Sequence, residues 1–143
     1  PIMDELDELR SETSFAIYRV MDGLMSIELK PDLIIDIDLA KRIEHHRLRL
    51  VGGHSWPTIL VMPPTYLLLD KEAFSFFGSD TGVEGCAAKA VVIKSTLRKL
   101  LMNFSLIFNN QSIPFRLFNH KSDAKLWLFS FIQDRYRESE NQN

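Results

Sequence analysis

Cysteine is almost missing from this sequence. Cys86 stands alone among 143 residues, so no internal disulfide framework can form, and such usage fits a reducing compartment. Long apolar runs are missing too: none approaches the roughly 20 residues of a membrane span, and Pro1-Ile2-Met3-Asp4-Glu5 has neither the basic start nor the apolar stretch of a secretory signal. The expectation is a cytoplasmic protein with no transmembrane segment, Met3 being its natural start. Neither sign of charge dominates. Lys and Arg number 17 against 19 Asp and Glu, the net charge is −2, and the pI is about 6.1. A nucleic-acid binder usually carries a basic stripe and a high pI, so nucleic acid is not expected as a partner. Glycines are few, and those at 78, 82 and 85 do not follow a strand and open a helix as a phosphate-cradling loop must. Internal repeats and low-complexity blocks are absent from the sequence.

The remainder is an ordinary globular composition, 45% apolar and 25% charged, at the length of one domain. Its organising stretch runs from Ala87 to Phe118. An apolar run at 90–93 is followed by Lys94-Ser95-Thr96. Leu97, Leu100, Leu101, Phe104, Ile107 and Phe108 then fall at helical spacing, and the chain returns to an extended run from Ile113 to Phe118. Strand, crossover helix and strand in this order place two strands parallel in one sheet. Upstream, Asp22-Gly23 between two alternating runs predicts an antiparallel hairpin with strands at about 15–21 and 24–30. Asp36 or Asp38 can cap a helix with inner positions Leu39, Ile43, Leu50 and Val51, closed by Gly52-Gly53. Lys41, Arg42, Glu44 and Arg49 fall on its other face. Thr58–Met62 reads as a buried strand stopped by Pro63-Pro64, Tyr66–Leu69 is ambiguous, and Asp70 caps a short helix through Phe77. Ala124, Trp127, Leu128, Phe131 and Ile132 fit one helix stripe, with Ser122 as its cap.

The expected fold is α/β: a two-layer sandwich of a mixed, mostly parallel five-stranded sheet and four helices. Residues 1–14 read as an N-terminal leader, 15–136 as the domain and 137–143 as a polar tail that frays. A sheet with helices mainly on one face leaves the other to be covered, and a second copy is the simplest cover, so a homodimer is expected.

The element order over 15–132 resembles the STAS or SpoIIAA-like group, the anti-sigma-factor antagonists and their relatives. So does the closing stretch Ile113-Pro114-Phe115-Arg116-Leu117-Phe118 followed by Ser122-Asp123-Ala124-Lys125-Leu126-Trp127-Leu128. The resemblance implies the SpoIIAA-like fold and a habit of partnering with regulatory proteins. Signalling members carry a phosphorylatable serine in an Asp-Ser-Ser-Gly-like turn after a central strand. Here Ile59–Met62 is followed by Pro63-Pro64-Thr65-Tyr66 instead, so the resemblance does not extend to phosphorylation.

Few residues assemble into chemistry. His45 and His46 are adjacent on a helix and diverge by about 100°, unlike a metal-binding i, i+4 pair. His54 and His120 fall in loops. Cys86, between Gly85 and Ala87, has no neighbour to activate it and reads as a small buried residue. No catalytic residue, metal or cofactor is expected. Ligands of open α/β sheets bind outside the carboxyl ends of parallel strands, which makes Lys94, Ser95, Thr96, His120, Lys121 and Ser122 the candidate anion-binding residues, the serines and threonine at helix starts and the lysines beside them. Against this, serine and threonine at such positions are usually plain caps, which is the commoner reading of Ser95, Thr96 and Ser122. Two functions follow: a non-enzymatic STAS-like regulatory or protein-interaction module, or a domain binding a small ligand or lipid in the strand-end cleft.

Overall fold

A computed structural model describes residues 8–94 and 112–141, with side chains through Ile132. The Asp-Gly signal acts as expected. Asp22 and Gly23 both take positive φ, 55° and 78°, the primed-turn geometry that matches strand twist, and they join β2 (Ala16–Met21) to β3 (Leu24–Leu29) in an antiparallel pair. The expected leader contains a further strand, β1 (Glu8–Glu12), antiparallel to β2. Its exposed Glu8, Arg10 and Glu12 alternate with half-buried Leu9 and Ser11. Only Leu9 is strongly apolar, which is why the period is hard to read.

After β3, Pro31 and Asp32 turn the chain into a further strand beyond those expected, β4 (Leu33–Ile35). It pairs in parallel with β6 (Tyr66–Leu69) in a separate two-stranded sheet. Helix α1 (Ile37–Val51) is capped by Asp36, whose carboxylate accepts from Leu39 N at 2.9 Å, and ends on left-handed Gly52. β5 (Trp56–Val61) starts two residues before its sequence signal. Pro57 cannot donate to the ladder, and a register shift between Trp56 and Pro57 accommodates it. Helix α2 (Lys71–Phe77) starts at Asp70 and stops at Gly78, as expected. The one-turn α3 (Asp80–Val83) precedes β7 (Cys86–Val92), and β8 (Phe115–Phe118) leads into α4 (Lys121–Asn141). The predicted helix at 97–108 lies outside the described residues. α4 continues through most of the predicted tail.

The main sheet therefore has six strands, not five, in the order β1-β2-β3-β5-β7-β8, with only β2 running against the rest. A row of paired residues, Ser11–Tyr18–Ile27–Leu60–Val91–Leu117, crosses it on one face. That face packs Tyr18, Val20, Met25, Ile27, Leu60 and Val91 against Leu39, Ala40 and Ile43 of α1 and Phe74 and Phe77 of α2. Successive strand residues alternate faces, so Ile59, Ala88, Ala90, Val92 and Phe118 point the other way, where Ala124 and Leu128 of α4 cover them. The two-layer expectation is thereby corrected: helices flank the sheet on both sides. β5 and β7 are buried along nearly their whole length, Thr58 and Lys89 included, because both of their faces are covered.

Candidate functional site

A second row of partners, Glu12–Ile17–Glu28–Val61–Val92–Phe118, lies on the α4 face at the carboxyl ends of the parallel strands. Of the candidate anion-binding residues, Lys94, His120, Lys121 and Ser122 follow strands at this edge. Lys94 follows β7 and donates to the carbonyl of Pro64 at 3.2 Å. Ser95 and Thr96 lie outside the described residues. His120 and Ser122 are exposed, and α4 begins at Lys121, so Ser122 sits in its first turn instead of capping it. Lys121 reaches back to form an ion pair with Glu28 of β3. The two lysines are tied to different partners, and the described residues do not converge into one anion cradle.

Lys121 does open a groove of about 350 Å³ between α4 and the back of the hairpin. Lys121, Lys125, Phe129 and Ile132 form one wall at helical spacing; Met21 and Leu24, with Arg19 and Glu28 beside them, form the other. Met21 is 50% exposed and Phe129 54%. Leu126, one turn before Phe129 on α4, is 73% exposed. The helix thus carries an apolar ridge beside an apolar groove, both rimmed by charge. The helix wall is written in the sequence as an i, i+4, i+8 pattern. The hairpin wall is not, because nothing local states that α4 returns across β3.

A second cluster lies inside the molecule. Glu44, Arg47 and Lys89 are all fully buried, so the expectation that Glu44 faces solvent is overturned. One turn of α1 puts Glu44 and Arg47 on the face that also buries Ala40, Ile43 and Val51. Glu44 accepts from Arg47 Nε at 2.6 Å and from Lys89 Nζ at 2.7 Å. Lys89 Nζ donates also to the carbonyls of Phe77 and Gly82, both at 2.8 Å. Arg47 serves the carbonyls of Thr81, Gly82 and Glu84 at 3.2, 3.2 and 2.6 Å. Burial works against the charge of Arg47, but the adjacent Glu44 carboxylate prevails and raises its pKa. Burial, with Glu44 acting in the same sense, also raises the pKa of the Tyr18 phenol, whose hydroxyl donates to the Ile43 carbonyl at 2.8 Å. Among the described residues no buried side-chain polar atom lacks a partner. The cluster is saturated, and its chemistry is to pin α3 and the end of α2 to α1 and β7.

His45 and His46 diverge as expected: His45 is exposed, whereas His46 lies 4.6 Å from the Tyr18 ring. Cys86 is buried. Among the described residues no group of three or more His, Cys, Asp or Glu side chains could hold a metal ion, and no helix is long and apolar enough to cross a membrane.

A family model described as a domain of unknown function, DUF7793, matches residues 18–132. Neither the curated proteins nor the solved structures provide a match.

Proposed function

The chain belongs to this family of unknown function, and we propose that it works without catalysis, as a protein-interaction module whose docking face is the ridge and groove of α4 and the β2–β3 hairpin. The observation that carries the reading is the exposure of Met21 and Phe129 in one cleft, with Leu126 exposed one turn before Phe129. Exposed apolar patches rimmed by polar groups mark association sites. A ridge adjoining a groove is self-complementary about a two-fold axis, so the occupant proposed is α4 of a second copy, an isologous contact in which each Phe129 enters the partner's groove. The resemblance to STAS domains supports the same proposal through their habit of partnering.

Native mass spectrometry and sedimentation equilibrium test it. The expected result is a dimer that Phe129→Asp and Met21→Asp convert to monomer without lowering the melting temperature. A wild-type chain that stays monomeric at tens of micromolar overturns the self-association. A second reading, an apolar small ligand in the same groove, rests on its volume of about 350 Å³, within the range of small-molecule sites. Extra mass that is retained under native conditions and lost on denaturation would favour it.

A further inference from the structure

We propose that a second groove, between α1 and the turn at Thr13–Phe15, binds an acidic polypeptide segment of a partner, two carboxylates of which engage Arg42 and Arg49. The groove has a volume of about 730 Å³ and is lined by Ser14, Phe15, Arg42, His45, His46 and Arg49, among others, with no carboxylate among the described residues of its wall. Arg42, His45 and Arg49 recur at i, i+3 and i+7 on the exposed side of α1.

Both guanidinium groups are held in place. Arg42 lies over the ring of Phe15, 5.1 Å from its centroid, and Phe15 is itself buried. Arg49 Nη2 donates to His46 Nδ1 at 3.2 Å. That bond assigns the ring proton to Nε2, which donates to Ser11 Oγ at 2.9 Å. Side chains fixed in this way lose less freedom when a ligand arrives.

Their charge is also uncommitted. Arg10, Lys30, Arg47, Lys89 and Lys121 each have a carboxylate partner. Among the described residues Arg42 and Arg49 have none, although Asp38 lies one turn before Arg42. Arginine presents a planar fork that matches a carboxylate with two parallel bonds, which a lysine cannot do. The spacing selects the ligand. Seven helical residues rise about 10.5 Å, and three residues of a polyproline II segment, which makes one turn in three residues, span about 9.3 Å, so carboxylates at i and i+3 of such a segment fall on one side and in step with the two arginines.

The test is an NMR titration of the full chain with the capped peptide Gly-Glu-Gly-Gly-Glu-Gly and its glutamine counterpart. Expected are shifts at the Arg42 and Arg49 Nε–H groups and the Ser14 amide with the glutamate peptide only. Binding should weaken about tenfold or more, roughly 1.4 kcal/mol, in Arg42→Gln/Arg49→Gln, and should fade near 1 M salt, where the Debye length is about 3 Å. Arg42→Lys/Arg49→Lys keeps the charge and should retain part of the affinity, which separates loss of the fork from loss of the fold. Equal responses to the two peptides, or undiminished binding in the glutamine variant, overturn the proposal. So does binding of phosphatidylserine vesicles through these arginines with no response to the glutamate peptide, which would assign the groove to a membrane surface.

Discussion

Lys89 and Glu44, 45 residues apart in sequence, meet at 2.7 Å with neither side chain exposed to solvent. The contact ties the interior strand β7 to α1, and through the same ammonium group to the carbonyls of Phe77 and Gly82. Removing one partner strands the others. Lys89→Met should cost about 3–5 kcal/mol, the usual penalty for leaving a buried charge half-paired. Glu44→Gln should also be strongly destabilising. Because both changes break the same network, the double variant should lose less than the sum of the singles. Urea denaturation of the three variants checks this; strict additivity would show that the two residues do not share a network.

Gly82 is required by space. A Cβ there would lie closer than 3.0 Å to the carbonyl oxygens of Phe76 and Phe77, the latter being an acceptor for Lys89. Gly82→Ala should destabilise by about 1–3 kcal/mol or more through overpacking. Gly53→Ala has open space around its Cβ and meets only the cost of a left-handed backbone, about 1–2 kcal/mol. Thermal melts of the pair separate steric from conformational demand: a Gly82→Ala melt at the wild-type temperature would contradict the packing.

Acid sensitivity should come in part from His46. Burial, and secondarily the charge of Arg49, lower its pKa below the ordinary histidine value, and its Nδ1 must stay unprotonated to accept from Arg49. Because the unfolded chain binds this proton more readily, the contribution to stability is complete above the unfolded value of about 6.5 and is lost as pH falls through the lower folded value. The melting temperature of the wild type should therefore drop faster than that of His46→Gln between about pH 7 and pH 5. Parallel curves would contradict the assignment.

The back face depends on Leu128, fully buried with Ala124 against Ile59, Ala90 and Val92. Leu128→Ala should cost about 2–5 kcal/mol and raise hydrogen exchange in α4 first. Uniform exchange across the molecule, with little loss of stability, would mean that α4 is not anchored there.

The comparison of sequence with structure divides along the range of the signals. Asp22-Gly23, Asp36 with Gly52, Asp70 with Gly78, and the apolar runs of β5 and β7 each act within a few residues, so the hairpin, α1, α2 and the parallel strands were legible in advance. β4 is three residues long and exists only because β6 lies beside it. β1 carries a weak apolar period and is defined by its ladder to β2. Of the strand-end residues, Lys94 and Lys121 have separate partners, the Pro64 carbonyl and Glu28, which no local pattern announces.

By itself the sequence determined the α/β class, the hairpin turn, the caps of α1 and α2 and the buried strands β5 and β7, because backbone conformation and local burial follow from neighbouring side chains. Tertiary structure alone decided that α4 crosses to the opposite face, that Glu44 turns inward to Lys89, and that α4 and the hairpin enclose a groove. Each of these is a contact between residues distant in sequence, fixed by which surfaces remain to be covered once the local elements have formed.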